Sequence, residues 1–218
     1  MTKKFLSVLG LGLLIGTSSL AVESKYERRV ERAADNLSEM MTEYGSVPRA
    51  ILQKAKCVAS IRLYKAGLIY GGKVGKGVTS CRLHDGSWSA PSMSRLTGVS
   101  AGIQAGFAKV DLLMFIMDES TKENILNGNF EFDVNANLTL GRDELNAGVE
   151  FNKPIYTMVD SKGIFAGITL EGSYLNQVDS SNRNVYGPEY TAYEILTRSY
   201  IMPESLSSFT GLLNFYTN

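Results

Sequence analysis

The stretch 67-GLIYGGKVGKG-77 decides how this chain is read. Gly67, Gly72 and Lys73 reproduce the opening of a phosphate-binding loop, a motif that closes with Ser or Thr because that hydroxyl ligates Mg²⁺. Val74 stands there instead. A phosphate loop also needs a helix behind it, whereas Val74 to Arg82 is β-prone. No nucleotide is expected, and the glycines need another reason. Gly67, Gly71 and Gly75 recur every fourth residue, as do Gly98, Gly102 and Gly106, and Gly163 and Gly167. In a strand an even spacing places them on one face. A stripe without side chains permits close approach of another layer or sharp curvature of the sheet. The segment 65-KAGLIYG-71 is echoed by 162-KGIFAG-167.

Outward from this stretch the periodicity changes. Ser24 and Glu27 fit a capping box. Tyr26, Val30, Ala33, Leu37, Met40 and Tyr44 follow at helical spacing, with Gly45 as the stop and Pro48 beyond it. A short helix is expected from Pro48 to Lys54. Strands are expected over Cys57–Leu63, Gly67–Val74 and Gly77–Leu83, and Val99–Met117 supplies two strands or one long bent one. Phe130 to Leu140 alternates cleanly and reads as a strand, as do Ile155–Val159 and Gly163–Leu170. Helices are expected over Thr191–Arg198 and Pro203–Tyr216. The result is an α+β class: a β-rich single domain with a curved glycine-rich sheet, an amphipathic helix at the N-terminus and a helix at the C-terminus.

With 218 residues, 44% of them hydrophobic, the chain can bury one sizeable core. Lys3 and Lys4, the apolar run Phe5–Ile15, and small residues at Ser19 and Ala21 read as a signal peptide over residues 1–21. The run is too short to span about 30 Å of hydrocarbon. Without Lys3 and Lys4 the chain keeps 20 basic and 22 acidic residues. Cys57 and Cys81 are either a disulfide of an exported protein or two buried thiols. One histidine, His84, followed by Asp85-Gly86, reads as a turn residue, and with two cysteines it makes no metal constellation. No metal, cofactor or catalytic residue is expected, because a nucleophile–base pair or paired carboxylates are lacking. From Tyr44 to His84 there is no acid, while the window holds Arg49, Lys54, Lys56, Arg62, Lys65, Lys73, Lys76 and Arg82. Such segregation predicts one positive face that attracts anionic lipid headgroups. Nucleic acid is not expected as the partner of an exported chain.

Several ordered segments resemble the SYLF domain family: 47-VPRAILQKAKCVASI-61, 65-KAGLIYGGKVGKGV-78, 85-DGSWSAPS-92, 97-TGVSAGIQAGFAKVDLLMFIM-117 and 161-SKGIFAGITLEGSYL-175, then Asn182, Tyr186-Gly187 and 194-EIL-196. The segment 141-GRDELNAGVEFNKPIYTMVD-160 departs from the family, which is richer in small residues there. The resemblance implies binding of anionic lipids, phosphoinositide-type headgroups in the family. The actin link of eukaryotic relatives is not expected for an exported protein. The organisation expected is a signal peptide at 1–21, an amphipathic helix at 22–46 and a SYLF-like lipid-binding domain at 47–218. The eight basic residues are the candidate lipid-binding set, with insertion of Tyr26, Met40, Met41 and Tyr44 from the first helix. The expected location is the periplasm or cell envelope, peripheral to a membrane. The alternatives are a non-catalytic envelope structural protein and a small outer-membrane barrel.

Overall fold

The computed structural model describes residues 18–43, 46–67, 70–101, 106–128, 130–133, 137–140, 152–160, 170–200 and 202–217. Two helices lead, α1 (Ser18–Glu43) and α2 (Ser46–Lys54), followed by four long strands: β1 (Cys57–Gly67), β2 (Tyr70–Cys81), β3 (Ser92–Ala101) and β4 (Gly106–Ile116). Then come α3 (Glu119–Leu126), β5 (Phe130–Glu131), β6 (Asn137–Leu140), β7 (Ile155–Asp160), β8 (Ser173–Gln177), α4 (Asp179–Tyr186) and α5 (Ala192–Thr197). A 3₁₀ turn (Glu204–Leu206) and α6 (Ser208–Thr217) follow. The strands make one curled sheet in the order β5-β8-β3-β2-β1-β4-β7-β6, antiparallel except for the parallel β6–β7 pair. The architecture is α+β and β-rich, with helices before and after the sheet.

Alternation sorts each strand's residues onto two faces, and both faces are buried near one end of the sheet. On the first face Val58, Val78, Met93, Leu113, Phe115, Tyr156 and Met158 pack against α1, α2 and α6. On the second, Ala59, Ile61, Leu63, Leu96, Leu112, Met114 and Leu175 pack with Ile125 of α3, Phe130, Phe132 and Leu196 of α5. The stripe read from sequence on α1 supplies Tyr26, Val30, Ala33, Leu37 and Met40 to the first cluster. Each fully buried side chain of this size contributes roughly 1.5–3 kcal/mol. Asn36, also buried, fixes the helix's rotation: its Nδ2 donates to Ser60 Oγ at 2.9 Å and to the Leu112 carbonyl at 3.2 Å.

The glycine stripe lies on the second face and brings strands and side chains close. A Cβ at Gly75 would sit 2.6 Å from Ile61 Cγ2, and one at Gly98 would sit 2.6 Å from Ser173 Oγ. At Gly77 it would collide with the Ser60 carbonyl oxygen. Gly72, on the opposite face, has nothing within 4 Å of the same position. Close approach is therefore the reason for Gly75, Gly77 and Gly98, while Gly72 is exposed. Gly102, Gly163 and Gly167 lie outside the described residues.

The register sets Cys57 opposite Cys81, and the two are disulfide-bonded within the second cluster. Several boundaries differ from expectation. The helix begins at Ser18, upstream of the capping box at Ser24, because the backbone stays helical through 18–24. The strands expected over 67–74 and 77–83 are one strand, since Gly75 and Gly77 pair without interruption. Phe130–Leu140 is not one strand: β5 pairs with β8 at one edge, and β6 pairs with β7 at the other. Alternation is satisfied locally by each piece and carries no information about which edge a piece joins. The strand expected over 163–170 falls almost wholly outside the described residues, and β8, α3 and α4 were not anticipated.

Gly77→Ala is expected to cost roughly 1–3 kcal/mol by overpacking. Gly72→Ala should stay within about 0.5 kcal/mol of the parent. Urea unfolding of the two variants checks this contrast. Replacing both cysteines by Ser opens a loop between residues 24 apart in sequence. That change is expected to lower stability by about 3 kcal/mol more under oxidising conditions than in reductant, where only the cost of burying two hydroxyls is left, read by the same unfolding curves.

Candidate functional site

The eight basic residues selected by charge do not make one surface. Arg49, Lys54 and Lys56 are exposed near the pole where α2 leads into β1. The Arg49 guanidinium lies 5.5 Å from the centre of the Tyr216 ring of α6. Arg82 is bound into the fold at that pole. Its Nε donates to the Ala55 carbonyl at 3.2 Å, Nη2 to Leu52 at 3.0 Å and Nη1 to Gly86 at 3.0 Å. Its guanidinium stacks 4.5 Å from the centre of the Trp88 ring. Burial lowers its pKa, yet an arginine keeps its charge, so it closes the end of α2 as a fixed cation.

Lys65 and Lys73 face each other across β1 and β2 on the second face. Lys73 is buried, with Nζ 3.5 Å from the Glu171 carbonyl oxygen, reached past the bare position of Gly98. Burial pushes its pKa down, and the charge of Lys65 pushes the same way. The lysine expected to project from the glycine-rich stretch is therefore part of the interior. Lys76, three residues further along β2, is exposed on the first face.

Lys76 does find cationic neighbours. It is opposite Arg62 on β1 and Arg95 on β3, so Arg62, Lys76 and Arg95 run across three adjacent strands. Arg62 is tied bidentately to Asp111 of β4, with Nε–Oδ1 at 2.8 Å and Nη2–Oδ2 at 2.7 Å, and those bonds raise its pKa. Arg95 and Lys76 are exposed. On the α1 side, Arg29 is half-buried and its pKa is lowered first by burial, then by the charges of Arg32 and Arg95 nearby. Sequence reasoning missed Arg95, which falls beyond the acid-free window, and Arg29, whose neighbours on α1 include acids. The signal was present in the strand alternation: Lys76 and Arg95 each lie two residues from a residue of the first-face cluster, Val78 and Met93.

Side chains proposed for insertion are accounted for differently. Tyr26, Met40 and Met41 are buried in the first cluster, because α1 docks its apolar stripe on its own sheet and α6. Tyr44 lies outside the described residues. The exposed apolar side chains belong to the sheet instead. Among the described residues, Tyr64, Val74, Val99, Phe107 and Tyr174 share the first face beyond the reach of α1, and Tyr193 and Phe215 lie elsewhere.

Motif residues quoted from the sequence hold the fold. Asn182 Oδ1 accepts from the Met93 amide at 2.7 Å while its Nδ2 donates to Ser92 Oγ at 2.9 Å. Tyr186 donates to the Pro91 carbonyl at 2.8 Å, and Thr191 with Glu194 forms a capping box on α5. His84 and Asp85 lie in an exposed turn, where Asp85 accepts from Ser87. Among the described residues no cluster of three or more His, Cys, Asp or Glu is placed to hold a metal, and no helix is long and apolar enough to cross a membrane.

The chain is thus a helix-flanked α+β sheet that carries a cationic row and an exposed apolar end. The family model described as "Ysc84: Las17-binding protein actin regulator" matches residues 97–216, and the chain belongs to this family, the one whose SYLF domain its motifs resemble. It is 30% identical over 208 residues to SH3 domain-containing YSC84-like protein 1 of Rattus norvegicus, covering 92% of this chain and 60% of that protein. The human protein of the same name is 29% identical over 206 residues, with the same coverage. Protein YSC84 of Saccharomyces cerevisiae is 29% identical over 205 residues, covering 89% of this chain and 43% of its own length. The chain thus spans about 60% of the length of its vertebrate relatives.

Arg82→Met should lower stability by about 1–3 kcal/mol, because Leu52, Ala55 and Gly86 lose a charged donor. Chemical unfolding read through Trp88 fluorescence measures it.

Proposed function

We propose that this chain is a peripheral membrane protein that binds anionic phospholipid headgroups and performs no catalysis. The observation that carries the reading is the row of Arg62, Lys76 and Arg95 across adjacent strands, with Lys76 and Arg95 exposed. The strands fix the spacing of these cations before any ligand arrives, so little ordering is needed on binding. Asp111 offsets the charge of Arg62, so most of the attraction comes from Lys76, Arg95 and the neighbouring Arg32. Each such residue contributes roughly 1 kcal/mol near an anionic surface, falling off within a Debye length. Membership of the Ysc84 family supports a binding role.

The reading includes export to an envelope compartment. The Cys57–Cys81 disulfide supports it, since such bonds persist where the environment is oxidising. The basic run Lys3-Lys4 followed by Phe5–Ile15 supports it independently. The actin link printed for the family is not carried over, because an exported chain does not share a compartment with cytoplasmic filaments.

Co-sedimentation with vesicles of phosphatidylcholine, alone or mixed with phosphatidylglycerol, tests the proposal. Binding is expected only to the anionic mixture and to weaken as salt rises. Lys76→Glu with Arg95→Glu should weaken it roughly thirtyfold or more, the loss of two contributions of about 1 kcal/mol each. Unchanged binding in that variant would sink the electrostatic mechanism.

A further inference from the structure

We infer that the free end of the first sheet face, formed by Tyr64, Val74, Val99, Phe107 and Tyr174, enters the boundary between headgroups and acyl chains of an anionic membrane. This inference rests on the lipid-binding reading and names the surface that touches the bilayer core.

The five side chains are 38%, 47%, 75%, 66% and 42% exposed in that order. They form one patch by register. Tyr174, Thr97, Val74, Tyr64 and Lys109 lie side by side across β8, β3, β2, β1 and β4, and Val99, Gly72, Ala66 and Phe107 form the next row outward. Tyr64 and Phe107 touch across the rows, with ring centres 5.9 Å apart. Single exposed apolar residues are ordinary, but a contiguous patch marks an interaction site.

The order of chemistry along the strands matches that of a bilayer surface. Arg62, Lys76 and Arg95 lie one row inward, toward α1. At about 3.4 Å per residue, the outermost row lies roughly 14 Å beyond them. Interfacial segments bury their apolar faces about 5–10 Å into this boundary. With Val99 and Phe107 at that depth, Tyr64 and Tyr174 reach headgroup level, where tyrosines are enriched. The cationic row then stands at the phosphates. Among the described residues the acids in this region are Asp111, which is held by Arg62, Asp160, its register partner on β7 at the far end of the cationic row, Asp35 of α1 near Arg62, and Glu131 beside Tyr174. Lys76, Arg95 and Lys109 lie within the same rows, so the patch is complementary to an anionic surface. Two copies meeting face to face would set those cations against one another.

Among the described residues, the strand rows of this platform are already paired in the ladder before any ligand arrives. The apolar stripe of α1 is committed to the core and cannot serve instead.

The experiment places an environment-sensitive NBD label on Val99→Cys; both native cysteines are bonded, which leaves the introduced thiol as the target. The same label on Gln53→Cys, exposed on α2 at the opposite pole, is the control. With phosphatidylcholine–phosphatidylglycerol vesicles, the Val99 label is expected to brighten several-fold and to be quenched by lipids spin-labelled in the acyl chain, while the Gln53 label stays in water. Val99→Ser with Phe107→Ser should weaken vesicle binding at least tenfold and keep the parent thermal midpoint. A Val99 label that remains in water while the protein is vesicle-bound overturns insertion and leaves the lipid reading standing. Absence of any vesicle binding by the parent chain overturns both. A lipid-free dimer in which the Val99 label is already shielded, and which the double serine variant dissociates, assigns the patch to a second copy and overturns the membrane assignment.

Discussion

The approach of β2 to β1 on the second face is the constraint from which the rest follows. Gly75 and Gly77 leave no side chain where Ile61 and the Ser60 carbonyl already stand. That vacancy lets Ile61 and Leu63 pack into one cluster with Leu96, Leu112 and Met114 across neighbouring strands. It also locks the register. A slip of one residue in β2 would drive Lys76 into the second face and bring Lys73 out of it. The disulfide fixes the same register from the other end, where Cys57 and Cys81 are direct partners. A glycine stripe that looks like a ligand loop in one dimension is, in three, what allows a cationic row to form at all.

The sheet is divided along its length. At the pole where β1 begins, helices cover the first face, and polar contacts finish the enclosure: Asn36 to Ser60 and Leu112, Thr210 to the Ser89 carbonyl, and Trp88 to Thr217. Toward the other pole the described helices stop while the strands continue, and the exposed side chains are apolar and aromatic instead of charged alone. Motif residues such as Asn182 and Tyr186 belong to the enclosed pole. They maintain architecture, whereas Val74, Val99, Phe107 and Tyr174, which lie in other segments of the same family resemblance, are exposed at the open pole.

The parts legible in the sequence were those governed by local periodicity. The α1 stripe, β1, β7 and α5 follow from spacing and caps, because those signals act within a turn or two. Edge strands were not legible: Phe130 and Leu138 belong to opposite sides of the sheet, a fact set by long-range topology. The charge window likewise found real cations but mixed three environments. Arg82 is anchored to carbonyls, Lys73 is interior and Lys76 is exposed, although all three lie within one hairpin. Neighbours from other strands decide between those fates, and Arg95, the partner that completes the row, lies outside the window. The stripe of α1 was read as free to insert for a related reason. An amphipathic stripe specifies that a helix has something to cover, and here that is its own sheet.

The packing of α1 against α6 also fixes an order of assembly. The first described helix buries Val30, Leu37 and Met40 in a cluster that includes Phe209 and Leu213, which are made more than 150 residues later. Trp88 and Ser89 likewise wait for Thr217 and Thr210. The first-face core therefore cannot close on a growing chain, although the β1–β2 hairpin can form early. Contacts of such long sequence separation make closure slow and keep α1's stripe open until α6 has been made. Until those residues exist, the first-face core stays unclosed and the chain stays threadable.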